Sequence, residues 1–380
     1  MGSVLPKPIL SKVVERSGNS FVNSGSASMN GFRYTMEDAH MNCIEENIAY
    51  FGVFDGHSNE KCSQYVAECL PAKLKSLKEP ITAEMLESVC VQIDKAFLER
   101  HNDGGSTGTF CILRKNGHLT VANVGDSRIL VVRNGNIIFE TADHKPFDPP
   151  ERARIERCGG FVTGNRVEGD LAVSRAFGDA MFKEAGGKNY KNQKVIAVPD
   201  VSEVQCQQGD LIIICCDGVF EGNFTNMTVA QFVSEQMTKC WDDLAVIACR
   251  VCDEAIRRGS RDNISCVIVH LAEGTSKVRK LGARSFVPGP PFARNHDGCR
   301  VAYTKMAELA NLTCAEALQK RYMLLQMHDR KMLGNMPPVM RTAFELSDDV
   351  DLETERTFFG RGPAPGNESA FFTALAQGSG

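Results

Sequence analysis

The chain of 380 residues begins with short apolar runs separated by polar turn residues, and these alternate with helical patterns up to about residue 271. Apolar runs rich in β-branched and aromatic residues are typical of strands. They predict strands over 30–54, 107–114, 118–124, 128–133, 137–139, 211–216 and 264–271. Apolar residues at helical spacing predict helices over 60–75, 82–101, 149–158, 228–238 and 241–258.

The order of these elements indicates the fold class. Helices come in pairs between blocks of strands, and strict alternation of strand and helix is absent. This order favours an α+β fold in which a core of sheets is sandwiched between outer helices. Asn134-Gly135-Asn136 predicts a tight hairpin turn, and Gly159-Gly160 predicts the end of the helix that Pro149 opens.

Composition divides the chain into segments. Residues 1–27 are rich in Ser, Gly and Asn and predict an extended lead-in, and 28–272 form the main domain. Within that domain, 178–194 predicts an exposed loop or flap. The Pro-rich segment 273–300 reads as a linker and 301–335 as a helical extension. We expect the acidic end, 336–380, to be partly disordered.

Charge and hydropathy exclude several function classes. The chain has 43 basic and 47 acidic residues, and no long basic run, so we expect no nucleic-acid partner. No apolar run approaches the roughly 20 residues that span a bilayer. The N-terminus lacks the charged and apolar regions of a secretion signal. We therefore expect a cytoplasmic protein, and leave open a membrane-associated or nuclear fraction.

The fifteen cysteines are scattered, many of them inside apolar runs. They read as small buried hydrophobic residues in a reducing compartment. Cys249 and Cys252 form a C-x-x-C pair, but on a segment with helical periodicity. No second Cys/His pair stands at zinc-finger spacing, so we expect neither a metal nor a redox role for this pair.

Acidic residues stand at the ends of predicted strands: Asp55, Asp126, Asp217 and Asp262. Several carboxylates at the mouth of one sheet would repel one another unless cations lay between them. Oxygen ligands with few thiol or imidazole partners suit Mg²⁺ or Mn²⁺ better than zinc. The alternative is that Asp55-Gly56 and Asp217-Gly218 are ordinary turns, and both interpretations remain open at this point.

Two further groups could complete such a site. Arg33, close to Glu37-Asp38, could bind a phosphate with its planar fork, although such an Arg is more often in a surface salt bridge. His57 could donate a proton to a leaving alkoxide, although a lone His is as often structural.

Eight motifs occur in order between about residues 28 and 271. They are Met29–His40, Phe51–His57, Gly105–Thr107, Ala122–Arg128, Asp143–Pro146, Leu171–Asp179, Cys216–Gly218 and Arg261–Ile264. The set resembles the metal-dependent type 2C protein serine/threonine phosphatases. Each motif alone is moderately specific, whereas eight in order are very specific.

The resemblance implies a four-layer α-β-β-α sandwich with two central, mainly antiparallel sheets. Two Mg²⁺ or Mn²⁺ ions would lie in the cleft between strand ends, and a metal-bound hydroxide would attack phosphoserine or phosphothreonine in phosphorylated proteins, as in signalling. The family also implies a monomer.

The resemblance assigns a role to each of these residues. Asp55 would bridge both metal ions and the Gly56 carbonyl would ligate one of them, whereas Asp217 and Asp262 would bind the first ion and Glu37 and Asp38 the second. Arg33 would bind the substrate phosphate, and His57 would be the general acid. Asp126 would belong to a weaker third metal site with Asp217. The family usually has an aromatic residue and then Asp after Asp217-Gly218, whereas this chain has Val219-Phe220-Glu221, so Glu221 stands in for that Asp. Ser58-Asn59 also replaces the usual Gly-Gly.

The N-terminus supports one separate hypothesis. Gly2-Ser3 and Lys7 resemble the start of family members that carry an N-myristoyl group, which would give weak membrane association. Pro6 departs from the generic pattern, and Met-Gly-Ser also fits a cloning remnant.

Two rival functions differ from an enzyme. One is a phosphoprotein-binding scaffold, which requires a broken metal core, whereas every core carboxylate and Arg33 are present. The other is an interaction role for the helical segment 301–334, which is compatible with enzyme activity.

Overall fold

The computed structural model describes residues 4–183, 189–240, 242–271, 284–292 and 296–378. The strands are β1 (Ile9–Gly18), β2 (Val22–Gly31), β3 (Ala39–Ile44), β4 (Ile48–Phe54), β5 (Gly56–His57), β6 (Gly105–Ser106), β7 (Gly108–Arg114), β8 (His118–Val124), β9 (Arg128–Arg133), β10 (Asn136–Glu140), β11 (Val162–Thr163), β12 (Arg166–Val167), β13 (Phe177–Gly178), β14 (Asp200–Gln205), β15 (Leu211–Cys215), β16 (Ile264–Leu271) and β17 (Ser285–Val287). The helices are α1 (Lys61–Lys75), α2 (Ala83–Leu98), α3 (Pro149–Arg157), α4 (Asn226–Cys240), α5 (Leu244–Arg257), α6 (Asp297–Glu308), α7 (Cys314–Asp329), α8 (Pro338–Arg341), α9 (Asp349–Phe359) and α10 (Glu368–Gln377). Gly2, the predicted lipidation site, lies outside the described residues.

Two antiparallel sheets form the centre of the molecule. One has the strand order β10-β9-β15-β16-β2-β1-β17 and the other β14-β8-β7-β4-β3. Their facing sides share a buried apolar cluster, which includes Phe51 and Val121 from one sheet and Ile212 and Val267 from the other. Because alternate residues of a strand point to opposite faces, Leu211 and the other odd-numbered residues of β15 face the opposite way.

Helices cover the outer face of each sheet. Helices α4 and α5 pack on the seven-stranded sheet through residues such as Val233 and Ala248. Helices α1 and α2 pack on the five-stranded sheet through residues such as Leu70 and Ile93. The predicted four-layer α-β-β-α sandwich is therefore confirmed.

The prediction that residues 1–27 form a lead-in is wrong, because β1 and β2 belong to the seven-stranded sheet. The polar residues that concealed these strands have structural reasons. Lys12 is buried and pairs with the buried Asp253 of α5, with Nζ and Oδ1 2.8 Å apart. Gly25 lies so close to α5 that a Cβ there would stand 2.2 Å from the backbone nitrogen of Ala245. Close packing therefore selects small residues where strand propensity would favour β-branched ones.

The C-terminal segments also differ from their predictions. Part of the predicted linker, 273–300, forms β17, which pairs with β1. The predicted extension, 301–335, contains α7 and most of α6. The tail, 336–380, is largely helical where it is described. Its residues Phe359 and Leu375 are buried in an apolar cluster with residues of α6 and α7. Its acidic stretch begins α9, where the Asp348 carboxylate accepts the N–H of Asp351 at 2.8 Å. Acidic residues are stabilised at a helix N-terminus, so this charge marks a helix start.

The predicted flap, 178–194, is only partly exposed. Residues 184–188 lie outside the described part of the chain. Phe182 is buried in a small apolar cluster with Ile155 and Val195, which ties this end of the segment to α3.

Eleven of the fifteen cysteines are buried, as the sequence predicted, and the other four are half-buried, namely Cys43, Cys69, Cys158 and Cys240. All fifteen are free thiols, and Cys249 and Cys252 are buried on α5. Of the helices within the described ranges, none combines the length and the apolar character needed to cross a bilayer.

The helices α6 to α10, which we call the C-terminal extension, contain a buried ion pair. We predict that this ion pair is critical for the stability of the protein. Arg321 of α7 and Glu355 of α9 are almost fully buried and make two hydrogen bonds at 2.6 and 2.8 Å. Arg321→Met leaves the Glu355 carboxylate buried without its partner, which costs about 3–5 kcal/mol. Urea denaturation followed by circular dichroism measures this loss.

Arg356→Met is the matched control, because Arg356 of the same extension pairs with Asp329 at the surface. We expect little change in the unfolding midpoint for that variant. Equal midpoints for Arg321→Met and Arg356→Met would contradict the prediction.

Candidate active site

The topology brings the acidic strand ends to one edge of the sandwich. β15 and β16 are antiparallel neighbours, so Asp217, after the end of β15, lies beside Asp262, before the start of β16. β4 and β8 both pair antiparallel with β7 and therefore run in the same direction. Asp55 and Asp126, which follow β4 and β8, thus reach the same edge of the second sheet.

A cleft of about 1100 Å³ opens at this edge. It is lined by most of the predicted site residues, namely Arg33, Glu37, Asp55, Gly56, His57, Asp126, Asp217, Glu221 and Asp262. Asp38 is buried, with 8% of its surface exposed. Residues from positions 33 to 262 of the chain are therefore gathered in one place.

The carboxylates repel one another in the partly enclosed cleft. Burial, followed by the charges of neighbouring carboxylates, raises the pKa of Asp38 to about 7 and that of Asp217 to about 8. The same causes raise the pKa of Asp55 well above its usual range. Such a cluster is stabilised by positive charge.

The ligand geometry fits a hard divalent cation. Both carboxylate oxygens of Asp38 are buried and make no hydrogen bond of normal geometry within the described part of the chain. Ligand atoms of Asp38, Asp55 and Cys216 lie within 4.8 Å of one another. Buried carboxylate oxygens without partners are the ligands that Mg²⁺ and Mn²⁺ take.

Cys216 is closer to the carboxylates than its prediction as a small buried hydrophobic residue suggested. Burial, and then the charges of Asp38 and Asp55, raise the pKa of its thiol well above the usual range. Its Sγ donates to the carbonyl of Asn263 at 3.4 Å and accepts the N–H of Ser265 at 3.2 Å. A protonated thiol with these contacts supports the loop before β16 instead of ligating a hard cation.

The segment Phe32–Asp38, which we call the phosphate loop, carries Arg33 to the mouth of the cleft. The side chain of Arg33 is 45% exposed, and its guanidinium pairs with the carboxylate of Asp262. Asn263 fastens this loop: its amide nitrogen donates to the Thr35 carbonyl and its amide oxygen accepts the Glu37 N–H, each at 2.9 Å. Sequence reasoning missed Asn263, although it stands in the last of the eight motifs, directly after Asp262.

The backbone at Asp55-Gly56 is fixed on both sides. The Asp55 N–H donates to the Thr107 hydroxyl at 3.0 Å, and the Thr107 N–H donates to the Asp55 carbonyl at 2.9 Å. A Cβ on Gly56 would stand 2.3 Å from the Glu37 carbonyl oxygen. Only glycine therefore allows Asp55 and Glu37 to approach this closely.

His57 is oriented by a residue that sequence reasoning did not assign to the site. Its Nε2 lies 2.7 and 2.9 Å from the two carboxylate oxygens of Asp179. The small sheet β13-β6-β5 brings the two residues together, and a Cβ on Gly105 would stand 2.3 Å from both side chains. Burial alone lowers the pKa of His57, but the Asp179 carboxylate outweighs it, and the net pKa is raised. Asp179 ends the sixth motif, so a signal was present.

The third metal site stays a prediction, and the two carboxylates proposed for it both have partners of their own. The Asp126 carboxylate pairs with the ammonium group of Lys145. Glu221 accepts the N–H of Arg261 at 2.8 Å and the hydroxyl of Ser260 at 3.2 Å. Both line the cleft, but within the described residues the two carboxylates join no common group of ligand atoms.

Comparison with known proteins gives a consistent result. The model of the family described as Protein phosphatase 2C matches residues 22–264. Protein phosphatase 1B of Mus musculus is 32% identical over 296 residues, which are 71% of this chain and 75% of the relative. Protein phosphatase 1A of Bos taurus is 34% identical over 292 residues, with 71% and 76% covered. A crystal structure of a phosphatase from Toxoplasma gondii superposes with a TM-score of 0.66 at 28% identity, over 73% of this chain and 99% of that one.

We predict that cation binding competes with protons. Raised carboxyl pKa values mean that the metal-free folded protein holds protons at pH 6 that it has largely lost by pH 9, so its stability falls as pH rises through about 7 to 8. A cation must displace these protons, so the apparent affinity for Mn²⁺ should rise by up to about tenfold per pH unit for each proton released. Calorimetric titration between pH 6 and 8 measures it.

Replacing the exposed Asp349 with Asn should leave this pH dependence unchanged, because Asp349 lies on α9. A Mn²⁺ affinity that is constant from pH 6 to 8 would show that the carboxyls are already ionised in the metal-free protein.

We also predict that Asp179 holds the pKa of His57 up. Asp179→Asn removes the charge but keeps a side chain of the same shape, so the pKa of the imidazole should fall. An NMR titration of the imidazole resonances measures the change. His118, whose partner is Glu203, is an internal control, and its resonances should titrate as in the wild type. An unchanged titration of His57 would show that Asp179 does not raise the pKa of His57.

Proposed function

This chain belongs to the protein phosphatase 2C family and is a metal-dependent protein serine/threonine phosphatase, and from that premise we propose that Mg²⁺ or Mn²⁺ ions held by its buried carboxylates are the working cofactors. The observation that carries the proposal is the cluster formed by the buried Asp38 and the half-buried Asp55 and Asp217, whose pKa values are raised by desolvation and mutual repulsion. Hard cations relieve this repulsion. Asp55, Asp217, Asp262, Glu37, Asp38 and the Gly56 carbonyl would hold two of them.

When bound, such ions neutralise charge on phosphoryl oxygens and lower the pKa of the attacking water. The chain itself supplies the remaining groups. Arg33 stands exposed at the mouth of the cleft, where its fork can exchange the Asp262 carboxylate for a phosphate. Substrate binding therefore frees Asp262 to serve as a ligand.

The proton for the leaving serine or threonine oxygen comes from His57. Its Nε2–H donates to Asp179, which leaves Nδ1 to donate to the substrate. The raised pKa of His57 favours the imidazolium, which is the form a general acid needs.

The Lys145–Asp126 pair and the hydrogen bonds of Glu221 favour two ions as the working number. A third ion would have to displace the Lys145 ammonium from Asp126. Localisation in the cytoplasm, a monomeric state and acylation of Gly2 remain proposals. Mass spectrometry of the native protein showing an unmodified Gly2 would end the last of these.

We predict that Asp217→Ala lowers the release of phosphate from a phosphothreonine peptide in millimolar Mn²⁺ by about 10²-fold or more, because the bound cations contribute several kcal/mol. EDTA should stop the wild-type reaction. Cys216→Ser is the matched control at the neighbouring position, and it should keep metal-dependent turnover.

Near-normal turnover of Asp217→Ala would show that the assignment of this carboxylate is wrong. A folded wild-type protein that releases no phosphate at any Mn²⁺ or Mg²⁺ concentration would favour the phosphoprotein-binding scaffold instead.

A further inference from the structure

The phosphate loop is fixed from two sides. On the sheet side, Asn263 donates to and accepts from its backbone. On the opposite side, the N–H of Leu5 donates to the Phe32 carbonyl at 2.7 Å. Leu5 itself is 1% exposed and belongs to the apolar cluster of the C-terminal extension. The loop that carries Arg33 therefore lies between the catalytic sheet and this extension.

Met36 anchors the loop in the extension. It stands three residues after Arg33 and one before Glu37, and only 2% of it is exposed. Its cluster is built mainly from α6, α7, α9 and α10, and includes Tyr303 and Leu375. A side chain between two residues of the site is thus buried in a core outside the four-layer sandwich.

Gly298, in the first turn of α6, packs directly against the ring of Tyr34. A Cβ at position 298 would stand 2.5 Å from Cε1 and 3.1 Å from Cδ1 of the Tyr34 ring. The ring, which also lines the cleft, therefore rests against the bare Cα of Gly298. Glycine disfavours a helix, and this contact gives a physical reason for its presence.

A further contact joins α6 to the segment between His57 and α1. Lys305 of α6 lies 3.3 Å from the carboxylate of Glu60, which directly precedes α1. Both side chains are partly exposed, so the pair adds little stability. It nevertheless places the same face of α6 beside the segment that follows His57.

We propose that Gly298 is a positioning residue through which α6 sets the place of the phosphate loop, and with it the place of Arg33. Tyr34 transmits the position, because it is adjacent to Arg33 and its ring fills the space that a side chain on residue 298 would take. Met36 holds the other end of the loop in the same core. Phosphate affinity thus depends on a helix that lies outside the matched phosphatase region. The proposal rests on the proposed function, in which Arg33 binds the substrate phosphate.

The test is a double-mutant cycle between residues 298 and 34. Gly298→Ala should raise KM for a phosphothreonine peptide by about 5- to 50-fold, below the roughly 10²-fold that a misplacement of 1 Å can cost, with a smaller change in kcat. In the background of Tyr34→Ala, the additional effect of Gly298→Ala should vanish, because the colliding ring is gone. The melting temperature should not fall, since alanine favours a helix.

Gly334→Ala is the matched control, because a Cβ there meets no atom within 4 Å. The affinity for a non-hydrolysable phosphonate peptide, measured by calorimetry with Mn²⁺, gives a second readout that needs no turnover and should weaken in parallel with KM. A wild-type protein that binds this peptide without hydrolysing it contradicts the proposed function, but leaves the cycle measurable.

The proposal is overturned if Gly298→Ala binds the phosphonate peptide as tightly as the wild type. It is equally overturned if the effect of Gly298→Ala is the same with and without the Tyr34 ring. Met36→Ala compared with Leu375→Ala gives a second comparison within one apolar cluster. Only Met36→Ala should weaken peptide binding, and equal weakening by both would indicate a general loss of stability.

Discussion

The mutual repulsion of carboxylates that are crowded at the end of the cleft is the constraint on which the rest of this structure depends. Asp38 is buried and Asp55 and Asp217 are half-buried in the cleft, and the loss of contact with water raises the pKa of each. Flexible loops would let such groups move apart and reach solvent. Here they follow or precede strands of two packed sheets, so the backbone holds them together. The fold thus stores an unfavourable arrangement that hard cations turn into a favourable one.

The groups around the carboxylates are also fixed in place by hydrogen bonds. Asn263 fixes the phosphate loop, Thr107 fixes Asp55, and Asp179 fixes His57. The hydrogen bonds of these three supporting residues are already present in the protein without substrate. Arg33 is the exception, because its ion pair with Asp262 lies partly in solvent and its side chain is 45% exposed. Preorganised groups need no rearrangement during the reaction.

The parts of the fold that sequence predicted well are those whose packing follows the simple periodicities. β15 and β16 read as strands because they are apolar on both faces, and α5 reads as a helix because its apolar stripe is regular. β1 and β2 escaped prediction because Lys12 is neutralised by Asp253 and Gly25 admits α5. α9 escaped because its acidic first turn resembles a solvated tail, whereas the acids cap the helix. In each failure, a local or tertiary contact gave a small or charged residue a structural role that the sequence pattern does not show.

The sequence by itself determined the chemistry of the protein, because carboxylates at strand ends stand with Arg33 and His57 in eight ordered motifs. Residue type fixes which cations and which phosphate contacts are available, and that information is local. Only the tertiary structure decided how these groups are oriented, that Asp179 holds His57, that Lys145 neutralises Asp126, and that α6 lies against Tyr34. Such pairings join residues far apart in the chain, and their geometry depends on how whole sheets and helices pack, which no local pattern records.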